Sequence, residues 1–282
     1  MKRPFTLRTS RKQATVVGAV AGVAALTLTV MAPAGAAQAG DHSPQKKPTV
    51  VLVHGAFADS SSWNGVIERL KHAGYPVLAP ANPLRGLASD AAYVHSVLES
   101  VRGPIVLVGH SYGGSVISEA AAGVPQVKAL VYIAAFSPEK GESALELSNK
   151  FPGSTLGPTL NPVSFPLPGG GTGTDLYIKP DKFHDQFAAD VPTPVTDLMA
   201  ATQRPVALSA LEEKATTAAW KTLPSWSLIA TQDYNIPPAA QRFMAERAHA
   251  HTAEVKASHA VSVSRPGAVA RLIEQAAQAT AR

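Results

Sequence analysis

The chain of 282 residues contains no cysteine. That excludes disulfide staples, a thiolate nucleophile and a cysteine-based structural zinc site, so the fold must be held by core packing. A usable excess of positive charge is also missing. Lys and Arg number 25 against 20 Asp and Glu, yet Lys2, Arg3, Arg8, Arg11 and Lys12 all fall within Met1–Ala39, which holds no acidic residue. Without those 39 residues, 243 remain, with 20 basic against 20 acidic. No basic patch is left on which nucleic-acid binding could rest. There is no internal repeat. His249, His251 and His259 have no Asp or Glu beside them at a recognised metal-ligand spacing, so no metal site is expected.

Met1–Gly40 does not read as part of a fold. A basic head, an apolar or small run over Ala14–Ala32 and the small-x-small pattern Ala37-Gln38-Ala39 describe a secretory signal peptide cut after Ala39. A secreted product with no stable membrane association after cleavage is therefore expected. An uncleaved anchor is the competing reading, because the apolar run approaches spanning length; Pro33 and Gly35 break it where a signal peptide needs an extended cleavage site. Residues 40–48 are polar and Pro/Lys-rich, a linker ahead of one domain over 49–282. Oligomeric state leaves no signature in this sequence.

Short apolar, β-branched runs at Thr49–Val53, Pro76–Ala79, Ile105–Val108, Val127–Phe136, Trp226–Thr231 and Thr252–Val255 read as six strands. Helices are expected between them: Asn64–Ala73 capped by Ser60, Ser61 or Ser62, Ser89–Ser100 capped by Ser89, Tyr112–Ala122, Pro237–Ala248 and Pro266–Ala279. This alternation predicts an α/β fold with a mostly parallel sheet of about six strands and helices on both faces. Ser137–Ser225 breaks the rhythm. Its first half is rich in Pro and Gly without strand signals, and Lys182–Leu223 looks helical in pieces, so about 137–225 reads as a cap or lid over the carboxyl edge of the sheet. The run Gly169-Gly170-Gly171 has no strand feeding it and no helix starting on it, and reads as loop, not as a phosphate cradle.

Ile105–Glu119, IVLVGHSYGGSVISE, is the stretch on which function turns. A buried strand that enters Gly-x-Ser-x-Gly and leaves as a helix describes a nucleophile elbow, with Ser111 projecting above the sheet. Glycine at 109 and 113 relieves the crowding of strand against helix. A serine nucleophile needs a base, an acid that orients the base, and donors for the oxyanion. The chain order for such an elbow is Ser, then Asp or Glu, then His; here Ser111 is followed by Asp233 past one strand and His259 past the last. Their bland alternatives are a helix cap for Asp233 and an ordinary loop histidine for His259. The oxyanion donors are expected at the amides of Ala56, after the first strand, and Tyr112, after the nucleophile. His54 reads as a brace for the first loop. Among the aromatics that could line a pocket (Phe57, Trp63, Tyr112, Phe136, Phe151, Phe165 and Trp220), Phe57 and Tyr112 adjoin expected site groups and are the substrate-binding candidates.

Through Val51–Ala56, Gly109–Gly114, Thr231-Gln232-Asp233 with Ile236-Pro237, and Ser258-His259, the sequence resembles the α/β-hydrolase superfamily. Within it, the likeness is to small esterases related to plant methyl-salicylate esterases and hydroxynitrile lyases, and to their bacterial relatives. The resemblance implies a cofactor-independent serine hydrolase acting on small-molecule esters. It keeps Glu139 as a fallback acid, because some members place the acid there. It leaves hydroxynitrile lyase, perhydrolase and non-catalytic receptor as alternatives. Plant hydroxynitrile lyases have threonine where Gly55 stands and lysine where Ala260 follows the histidine, which favours the esterase reading.

Overall fold

The computed structural model describes residues 47–280. The leader Met1–Ala39, whether signal or anchor, and all but the last two residues of the linker lie outside the described residues. Side chains of Thr49–Val53 (β1) enter opposite faces in turn, Val51 and Val53 on one and Val50 and Leu52 on the other. This strand is buried on both faces, which is why it reads as a continuous apolar run. Asp59 then caps a 3₁₀ turn over Ser60–Trp63, its carboxylate accepting the Ser61 N–H at 2.7 Å. The serines were the expected caps of the next helix, Asn64–His72 (α1); instead the Asp side chain folds onto the amide two residues on and forms a turn of its own.

Val77–Leu78 (β2) is followed by Leu87–Ser100 (α2), which starts ahead of Ser89. The Ser89 hydroxyl donates to the Gly86 carbonyl, so it closes the first turn from inside the helix and is not its cap. Ile105–His110 (β3) passes through Ser111 into Tyr112–Ala120 (α3). Val127–Ile133 (β4) ends three residues before the expected Phe136, because Ala134 adopts φ +42° and turns the chain out of the sheet.

The insertion holds Ala144–Asn149 (α4), Leu160–Pro166 (β5), Thr172–Ile178 (β6), Pro180–Phe187 (α5), Thr193–Thr202 (α6), Val206–Ala207 (β7) and Leu208–Glu212 (α7). The helical pieces are as expected, but the absence of strands is not. β5, β6 and β7 form an antiparallel sheet in that order, with Leu160 opposite Ile178 and Pro166 opposite Thr172. Pro162 and Pro166, which argue against a strand, are tolerated because β5 is an edge strand, and its mostly exposed side chains give no alternation to read. A strand therefore does feed the triple glycine. Gly170 and Gly171, at φ +90° and +83°, make the β5–β6 turn, and Leu167 N–H reaches Gly171 O at 3.2 Å.

Ser225–Ala230 (β8), Pro238–Arg247 (α8), His251–Val255 (β9), Val261–Ser264 (α9) and Pro266–Thr280 (α10) complete the chain. The main sheet runs β2-β1-β3-β4-β8-β9 with every pairing parallel. Val66 and Leu70 of α1, Val261 of α9 and Val269 and Ile273 of α10 cover one face. Val94 and Leu98 of α2, Val116 and Ile117 of α3 and Met244 of α8 cover the other. Because all six strands run the same way, the loops after β1, β3, β8 and β9 open at one edge, where parallel sheets bind ligands.

Candidate active site

Ser111 sits at φ +54° and ψ −126°, a conformation few non-glycine residues adopt, held by packing on both sides. A Cβ on Gly109 would lie 2.5 Å from Gly113 O, and one on Gly113 would lie 2.5 Å from Val53 O. The strand, the helix and β1 are in backbone contact, and this closeness raises the serine above the sheet.

His259 follows β9 and Asp233 follows β8. The imidazole Nε2 is 2.8 Å from Ser111 Oγ, and Nδ1 is 2.7 Å from Asp233 Oδ2. Since a carboxylate can only accept, Nδ1 carries the hydrogen and Nε2 is left to accept from the hydroxyl. All three side chains are buried, with Ser111 the most accessible at 6 %. Asp233 does not cap α8. Its Oδ1 accepts the N–H groups of Asn235 (2.7 Å) and Ile236 (3.0 Å), and Gln241 Nε2 donates to Oδ2 at 2.9 Å.

Several supports are invisible to motif reading. Gln241 also accepts the Ala230 N–H at 3.0 Å, tying the end of β8 to α8. From the insertion, Gln186 donates to Asn235 Oδ1 at 2.8 Å and Tyr234 O at 2.9 Å. Residues on both sides of His259 are bound to the same segment: Ser258 Oγ donates to Asp190 Oδ1 at 2.5 Å, and Ala260 N–H to Phe187 O at 3.0 Å. His110 Nε2–H donates to the His259 carbonyl at 2.9 Å; burial, reinforced by the neighbouring His259, pulls its pKa to about 3 and keeps it neutral.

His54 braces its loop as expected. Its Nε2 accepts the Asn82 N–H at 2.9 Å, so Nδ1–H donates to Gly55 O at 2.9 Å, and burial lowers its pKa to about 4. Tyr112 hands its hydroxyl to Asp90 Oδ2 at 3.0 Å, while both Asp90 oxygens accept the Arg85 N–H at 3.1 Å. Burial raises the Tyr112 phenol far above its ordinary range and raises the Asp90 carboxyl as well. The only sequence signal for Asp90 is a lone acid in the first turn of a helix, which capping explains as well.

Above Ser111 lies a cavity of about 240 Å³. Ala56, Phe57, Tyr112, Phe136, Asn235 and Ile236 line it from the sheet edge, and Leu145, Leu156, Leu160, Leu176, Leu208 and Leu211 are among its lining residues from the insertion. No charged side chain lines it. Phe57, Tyr112 and Phe136 thus reach the cavity, although the Tyr112 hydroxyl is turned to Asp90. The other aromatic candidates do not line it. Trp63 lies under the opposite face of the sheet, edge-on to His110, and Phe151 packs on Phe243. Phe165 lies under Arg85, and Trp220 donates to Pro138 O at 2.9 Å. Glu139 pairs with Lys221 at 2.6 Å, and the imidazole's acid partner is Asp233. His251 stacks on Trp226, and no group of three His, Cys, Asp or Glu that could hold a metal occurs among the described residues.

An all-parallel sheet that delivers a serine from a central strand at a strand-to-helix turn, under an insertion at its carboxyl edge, defines the α/β-hydrolase class. The chain belongs to the alpha/beta hydrolase family, whose model matches residues 50–272. It is 27% identical over 253 residues to the alpha/beta hydrolase nvfD of Aspergillus novofumigatus, covering 82% of this chain and 97% of that protein. It is 34% identical over 113 residues to a carbendazim hydrolyzing esterase of Nocardioides sp., covering 36% of this chain and 47% of that protein. Among solved structures, polyneuridine aldehyde esterase superposes with a TM-score of 0.71 at 19% identity, covering 82% of this chain and 99% of that one, a likeness of fold.

Proposed function

We propose that this protein hydrolyses small, uncharged carboxylic esters through an acyl-enzyme on Ser111, and that it is exported with Met1–Ala39 removed. The observation that carries the reading is the hydrogen-bonded series Asp233–His259–Ser111, at 2.7 and 2.8 Å, on the floor of an apolar cavity. As Ser111 Oγ attacks the carbonyl carbon, its proton passes to His259 Nε2, and Asp233 stabilises the imidazolium that forms. The oxyanion is received by the N–H groups of Ala56 and Tyr112. Tyr112 is the first residue of α3, so its amide has no acceptor within the helix. His259 then returns the proton to the departing alcohol oxygen. Water attacks the acyl carbon, loses its proton to His259, and Ser111 leaves as the hydroxyl while the acid departs.

The uncharged lining favours neutral substrates, since an anionic group would be desolvated there without a partner. Ester-cleaving names among the relatives support the reaction class. Ala260 occupies the place where a lysine would be needed to hold a departing cyanide, so ester cleavage is preferred to cyanohydrin cleavage. The test is a panel of p-nitrophenyl esters from acetate to palmitate, given to the protein lacking Met1–Ala39, with a fluorophosphonate probe alongside. Turnover and labelling at Ser111, both lost in Ser111→Ala, are expected. Full activity in that variant overturns the mechanism, and tight ester binding without turnover would make the protein a receptor. Expression of the full chain should yield a product outside the cell beginning at Gly40; retention with an intact N-terminus overturns export.

A further inference from the structure

A second cavity, of about 380 Å³, lies beside the first, and Phe57 is the residue that lines both. Val195, Leu198 and Met199 of α6 give the second cavity an apolar wall, and Asp59, Ser61, Ser62 and Asn64 give it a polar one, where the Asp59 carboxylate is already engaged by the Ser61 N–H and hydroxyl. Pockets that hold drug-sized ligands usually enclose roughly 300–1,000 Å³. The Ser111 cavity alone falls short of that range, and the two joined would lie inside it.

Phe57 is held between them by more than its own packing. Its backbone is left-handed, at φ +60°, a strained conformation for a residue with a bulky side chain. Its N–H donates to Arg204 O at 3.0 Å, and its ring meets Phe187 edge-on with centroids 6.4 Å apart. Both anchors belong to the insertion, and Phe57 is 4 % exposed. A strained residue that is pinned on two sides by the insertion and lines both cavities is placed as a partition between them.

We propose that Phe57 is the specificity-determining wall of the site: it closes the Ser111 cavity to long substrates, and the cavity beyond it takes the acyl chain of a neutral ester once the ring is gone. The wall restricts the ester hydrolysis proposed above and rests on that reading. Removing the ring joins the cavities, and filling the second cavity from α6 cancels the effect.

The experiment uses the protein lacking Met1–Ala39 and the p-nitrophenyl ester series from acetate to palmitate, with Phe57→Ala, Phe57→Leu and the double variant Phe57→Ala/Met199→Trp. In Phe57→Ala the ratio of kcat/KM for decanoate to that for acetate is expected to rise about tenfold or more. Phe57→Leu, which keeps an apolar side chain against Phe187, should shift the ratio in the same direction by less. The double variant, with the second cavity filled from α6, should return to the profile of the unmodified protein. An unchanged ratio in both Phe57 variants, or a gain that persists in the double variant, overturns the proposal. If the unmodified protein turns over no ester of the series, the hydrolysis reading fails by itself. The partition is then read by calorimetric binding of ethyl decanoate to Ser111→Ala, with and without Phe57→Ala; about tenfold tighter binding upholds it, and equal binding overturns it.

Discussion

One oxygen of Asp233 serves two donors: Oδ2 accepts His259 Nδ1–H at 2.7 Å and Gln241 Nε2–H at 2.9 Å. Gln241 thereby fixes the height of the carboxylate under the imidazole, and its own amide oxygen holds the end of β8 through the Ala230 N–H. Gln241→Leu is expected to lower kcat by up to about 10²-fold, as a misplaced orienting group does. KM should stay within a few-fold, because Gln241 does not line the cavity. The Ala230 N–H left buried and unpaired should cost about 1–3 kcal/mol, read as a lower urea midpoint.

Asp233→Asn keeps the shape of the turn, since an amide oxygen can still accept the Asn235 and Ile236 N–H groups. Its NH₂ would then face His259 and favour the tautomer with hydrogen on Nε2, which cannot accept from Ser111. A fall in kcat of about 10⁴-fold is expected with the fold intact. Stopped-time ester assays together with a circular dichroism spectrum check this.

Gly55→Thr should not install cyanohydrin cleavage. A Cβ there would lie 2.6 Å from Ser111 Cβ and 2.7 Å from His110 O, so the elbow must move to admit it. Overpacking of this kind typically costs about 1–3 kcal/mol. Loss of fluorophosphonate labelling, with no cyanide released from mandelonitrile, is the expected outcome.

Stability should fall in acid even before the carboxylates titrate. Burial lowers the folded pKa of His54 to about 4 and that of His110 to about 3, whereas an unfolded histidine titrates near 6.5. Below about pH 6.5 the unfolded chain binds protons that the folded chain refuses. The stabilisation is therefore complete above that pH and is lost progressively down to about pH 3, by several kcal/mol in total. Urea midpoints measured from pH 7.5 to pH 4 should decline, and His54→Gln should flatten part of the slope.

Legibility followed the physics of each element. The strands β1, β3, β4 and β8 are buried on both faces, so their sequences are mostly apolar, interrupted in β4 by the exposed Lys128 and in β8 by Ser225 and Ser227, and the order Ser111, Asp233, His259 is a property of the chain itself. β5 is an exposed edge strand carrying two prolines, and nothing in its sequence separates it from a loop. Gln241, Gln186, Asp90 and His110 matter through partners distant in the sequence, so no spacing marks them. Tyr112 shows the limit within a single residue: its amide is placed by the motif, while its hydroxyl points to an acid on α2 that only packing reveals.

The bonds from Ser258 to Asp190 and from Ala260 to Phe187 bear on transplantation. His259 is gripped on both flanks by the segment that roofs it, so swinging α5 outward would drag the imidazole off the Ser111 hydroxyl. Any opening of the roof that keeps the imidazole on the hydroxyl would have to come from its outer parts, such as the β5–β6 hairpin, with this inner clasp left shut. Anyone grafting a foreign roof onto this scaffold would need to leave residues 187–190 in place, or lose the reactive centre along with the old covering.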